Sequence, residues 1–74
     1  MKVVPGKLYR NTNFISIPLR ALDQKVQVIS HVRPGETVLC LAITTIDGCD
    51  MLVALTASGY VGHTHILDDL EEVK

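Results

Sequence analysis

The chain has no tryptophan, one phenylalanine and two tyrosines among its 74 residues. That leaves little from which to build an aromatic groove for proline-rich peptides. The two cysteines, Cys40 and Cys49, lie nine positions apart and form no C-x-x-C element, so neither a zinc-binding nor a redox pair is present as a motif. No apolar run reaches the ~18 residues of a membrane span. The opening Met1-Lys2-Val3-Val4-Pro5-Gly6 has no apolar stretch long enough for a secretory signal. We therefore expect a cytoplasmic protein, away from membranes, with reduced thiols. A formal net charge of −1 and an isoelectric point near 6.2 argue against a general nucleic-acid binder.

What is present is globular in composition: 47% apolar residues, 20% charged, with no repeat or low-complexity segment. The length suits one domain spanning 1–74. No disulfide framework or metal cluster is visible to reinforce so small a core, which raises the expectation of self-association. Charge is unevenly distributed. Residues 1–33 hold six cationic side chains against Asp23, and residues 34–74 hold Lys74 against seven acids. Either the two halves neutralise each other within the fold, or they leave a bipolar surface suited to head-to-tail docking.

Alternation with period two and frequent β-branched residues predict strands throughout. Lys7–Arg10 reads as a short strand and Asn11-Thr12-Asn13 as a turn. Phe14–Ile17 stops at Pro18, which suits an edge or a loop. Residues 20–24 have the composition of one helical turn, and Lys25–Ile29 returns to an extended pattern. Arg33-Pro34-Gly35-Glu36 is a turn. The longest strand spans Thr37–Thr45, and Asp47-Gly48 is the strongest hairpin signal in the chain, with Met51–Thr56 returning. Residues 57–59 turn again, Tyr60-Val61 begins a short strand, and His63–Ile66 suits a single 3₁₀ turn. Leu70–Val73 is read as a closing strand in preference to a helix over 68–72.

The order of these elements resembles the bacterial SH3 family over roughly residues 7–70. Leu8-Tyr9-Arg10 stands where that family opens with Leu-x-Val-Arg. Val28 to Glu36 is similar to its apolar pair and Gly-containing turn, Val38–Ile43 to its Val- and Leu-rich strand, and Gly59-Tyr60-Val61 to its Gly-Trp-Val. The resemblance implies an all-β fold: a small SH3-like barrel of five or six short antiparallel strands with a 3₁₀ turn before the last strand. It also implies a binding module with no cofactor and no catalytic residues. Cys49, Asp50 and Met51 occupy the hairpin position where eukaryotic SH3 domains carry tryptophans, so proline-rich recognition is not expected. Tyr9, Tyr60, His63 and His65 are the candidate partner-binding surface.

Chemistry is sparsely encoded. His63-x-His65 puts both imidazoles on one side of a strand, beside Asp68 and Asp69, yet a metal wants three or four ligands and His31 is distant. Cys49 has no histidine at a spacing that would activate it. An enzyme remains the alternative only if its site forms between subunits. The type II dihydrofolate reductases, similar in length and SH3-like, work that way, but their Val-Gln-Ile-Tyr pore run is replaced here by Tyr60-Val61-Gly62-His63. A weak nucleic-acid-binding barrel, using Lys7, Tyr9, Arg10, Phe14 and Arg20, is the other alternative.

The central hairpin carries no charge over 38–43 and 51–55. An antiparallel sheet with one wet face should alternate apolar with polar. We expect Val38, Cys40, Ala42, Met51, Val53 and Leu55 to face the core. Leu39, Leu41, Ile43, Leu52 and Ala54 then point outward, and the four larger of these form a candidate self-association face. A small, non-catalytic, self-associating bacterial or phage protein that works by protein–protein contact, with an unidentified protein partner, is the reading these features favour. The competing expectation is that Phe14–Pro18 folds over the hairpin and covers it.

Overall fold

The computed structural model describes residues 3–22 and 27–74. It is all-β among those residues: seven antiparallel strands in one sheet, with no helix. The strands are β1 (Leu8–Asn11), β2 (Ile17–Arg20), β3 (Val28–Val32), β4 (Thr37–Ile46), β5 (Cys49–Thr56), β6 (Val61–Thr64) and β7 (Leu70–Glu72). Their order across the sheet is β3-β2-β6-β5-β4-β1-β7, and the sheet is open, with β3 and β7 as its edges.

The β4–β5 hairpin is the frame. Ile46 pairs with Cys49 across a two-residue loop in which Asp47 has φ 52° and Gly48 φ 79°. Two consecutive positive φ values match the right-handed twist of the flanking strands, which is why Asp-Gly is preferred there. β6 returns beside β5, and Gly62 lets β2 cross close to it. A Cβ at Gly62 would sit 2.9 Å from the Arg20 carbonyl oxygen and 3.0 Å from the Leu19 Cβ.

Three expectations change. Residues 17–20 form a strand, giving seven strands in place of five or six. Pro18 is tolerated between two neighbours because β2 meets β6 only at Arg20↔His63, so no ladder bond is required of the missing amide. His63 and Thr64 belong to β6, and residues 65–69 form a bend and a turn closed by the Leu70 amide on the Leu67 carbonyl at 3.1 Å. The helical turn expected over 20–24 is replaced at Arg20 by the end of β2; residues 23–26, including the start of the extended Lys25–Ile29 segment, lie outside the described residues.

The core comprises Val3, Tyr9, Ile17, Leu19, Val32, Val38, Cys40, Leu52, Ala54 and Leu70, with Ile43, Ile66 and Leu67 packed against it. Asn11 is the buried polar link. Its Nδ2 donates to the carbonyls of Ile15 at 3.0 Å and Val32 at 2.8 Å, and its Oδ1 accepts from the Asn13 amide at 2.9 Å. One side chain thus ties β1 to the far edge strand β3 and to the loop between β1 and β2. Lys7 and Glu72 pair at 3.8 Å across β1 and β7, joining the basic and acidic halves at an exposed position of small energetic weight.

Candidate functional site

Cross-strand partners in an antiparallel pair project from the same face of the sheet. Val38↔Thr56 and Cys40↔Ala54 face the core, while Leu39↔Leu55 faces out. A β-bulge between Cys40 and Ala42 then adds one residue to β4 and reverses its parity. Beyond it, Ile43↔Leu52 faces the core and Ala42↔Val53 faces out.

The bulge corrects the expected face. Leu52 and Ala54 are 0% exposed, so they belong to the core, and Ile43 packs against them from the same side. Met51, Val53 and Leu55, expected inside, are half-buried on the other face, and Ala42 is exposed. Of the four residues proposed from sequence, only Leu39 and Leu41 lie outside. The observed outer face is Leu39, Leu41, Ala42, Val53 and Leu55. It extends onto β1 through Leu8, which pairs with Leu39, and onto β6 through Val61, which pairs with Leu55. Leu8 is 47% and Leu41 42% exposed. No charged side chain belongs to β4 or to β5 between Met51 and Thr56.

The Phe14–Pro18 segment does not cover this face. Phe14 is 88% and Ile15 60% exposed, and Ile17 turns into the core. Asn11, Asn13 and Asp69 hold the loop: Asn13 Nδ2 donates to Asp69 Oδ2 at 2.8 Å, and the Ile15 amide donates to Asn13 Oδ1 at 3.2 Å.

The four residues expected to form a partner-binding surface are dispersed. Tyr9 is buried, its hydroxyl oxygen accepting the Val4 amide at 2.7 Å. His63 is buried as well, and neither ring nitrogen has a hydrogen-bond partner among the described residues. His65 is exposed and lines a shallow cavity of about 590 Å³ with Cys49, Asp50, Ile66 and Asp68. Tyr60 lines a different, open groove of about 700 Å³ with Ser16, Ile29, Ser30, His31, Arg33, Glu36 and Ser58. His63 and His65 therefore share no site, and no group of three His, Cys, Asp or Glu among the described residues is arranged to hold a metal ion.

The two thiols differ in environment. Cys40 is buried in the core and its Sγ lies 3.7 Å from the Ala42 carbonyl, while Cys49 is exposed at the hairpin tip. Burial pushes the Cys40 thiol above its ordinary value of 9.0, against a smaller opposing effect of the Ala42 carbonyl contact. Cys40 is thereby held as a neutral packing group. No family model, curated protein or solved structure matches the chain.

Proposed function

We propose that the protein is a non-catalytic, SH3-like interaction module of bacterial or phage cytoplasm that self-associates through the outer face of its central hairpin. The observation that carries the reading is the uncharged stripe of Leu8, Leu39, Leu41, Val53, Leu55 and Val61. Soluble monomers seldom leave a contiguous apolar patch of several hundred Å² in water.

The occupant we assign to this face is a second copy of the chain. The segment best placed to cover it from within, Phe14–Pro18, points elsewhere. The two long strands, with the adjoining parts of β1 and β6, present about 400–500 Å² in projection at ~4.8 Å between strands and ~3.4 Å per residue. That approaches the ~600 Å² per partner at the low end of stable interfaces. The SH3-like reading draws its support from the short antiparallel strands around an Asp-Gly hairpin and from the Asn11 amide, which draws β3 toward β1.

Leu41→Glu tests the assignment. At an exposed bulge position the carboxylate faces water once the partner leaves, so the variant should stay folded and run as a smaller species by light scattering. An unchanged oligomer would place the interface elsewhere. Unfolding of the variant would show that Leu41 is covered within its own chain.

A further inference from the structure

The open sheet has two edges, and they are built differently. β7 is three residues long and carries Glu71 and Glu72, the short charged form that resists strand addition. β3 is five residues long, holds no Asp, Glu, Lys or Arg, and borders the groove of about 700 Å³. Opposite its His31 stands Pro18, which has no amide to donate. The β2–β3 ladder therefore runs through the flanking pairs Ile17↔Val32 and Leu19↔Ser30. Alternation then turns the His31 amide and carbonyl to the free edge.

The groove holds one cation and one anion, Arg33 and Glu36, and they form no ion pair with each other. The Glu36 carboxylate is already engaged, its Oε1 accepting the Arg33 backbone amide at 2.8 Å within the turn. The exposed Arg33 guanidinium has no carboxylate partner among the described residues. Tyr60, half exposed, adds an aromatic surface from the β5–β6 turn.

We propose that this groove binds an extended, acidic peptide segment of a partner protein by adding it as a strand to β3. The His31 amide and carbonyl supply main-chain hydrogen bonds, and Arg33 selects a carboxylate. The hairpin face stays free for self-association, so the site does not depend on the oligomeric reading.

The test is selection of displayed random peptides of about ten residues on the wild-type protein, followed by affinity measurement with the enriched sequences. These should be rich in Asp and Glu. Arg33→Glu should weaken them by about tenfold or more, as loss of one charge-assisted contact does. N-methylation of the peptide at alternate backbone amides should weaken them similarly, because it blocks strand pairing while leaving the protein unchanged. Leu41→Glu should bind as wild type does, which separates this site from the self-association face. Failure to enrich any peptide, or binding that ignores either Arg33→Glu or N-methylation, would overturn the proposal.

Discussion

His63 occupies a fully buried position with both ring nitrogens unpartnered among the described residues. Each such group forgoes the hydrogen bond it makes with water in the unfolded chain, at about 1–3 kcal/mol. His63→Leu, which fills the space with carbon, should therefore raise stability by about 1–2 kcal/mol in urea unfolding. A loss of stability would show that the imidazole is bonded in solution. Cys40 gives a pH signature. Its folded-state thiol is held above 9.0 by burial, so the contribution to stability is full below that value. It is lost as pH rises from the unfolded value through the higher folded one, because only the unfolded chain ionises readily. The difference in stability between wild type and Cys40→Val should shift against the wild type over that window, and a constant difference would contradict the assignment. The burial of Cys40 was legible, because it sits inside the apolar run 38–43, whereas that of His63 was not. His63 and His65 read as a matched pair, and only the strand end at Thr64 separates a buried ring from an exposed one.

At the scale of elements, the hairpin was legible because its signal is local. Asp47-Gly48 between two β-branched runs admits few other conformations, and the positive φ at both positions follows from that. Gly48→Val should cost more than ~1 kcal/mol, since a β-branched residue resists φ > 0; tolerance of the change in thermal unfolding would contradict the turn assignment. The orientation of the strands was not legible. Val38–Ile43 and Met51–Leu55 are apolar at every position, so alternation carried no information about which parity faces the core. The bulge at Leu41 has no sequence mark either, and it moved Ile43 inward while Ala42 moved outward. β2 was obscured by Pro18, whose missing amide is harmless only because the β6 partner stops at Arg20. That limitation depends on the crossing angle of two strands distant in sequence.

At the scale of the molecule, the account rests on three arrangements: a core on one side of the hairpin, an uncharged face on the other, and an uncapped edge at β3. The candidate surface was half legible, through Leu39 and Leu41, and its other members came from the bulge and from neighbouring strands. The face of about 400–500 Å² in projection is roughly a tenth of the chain's 4639 Å² of exposed area. The most direct measurement is the molar mass of the wild-type protein by light scattering across a concentration series. Self-association predicts a mass of at least twice the 8.1 kDa of the chain at high micromolar concentration, falling on dilution or in Leu41→Glu. A mass of 8.1 kDa at every concentration would contradict it.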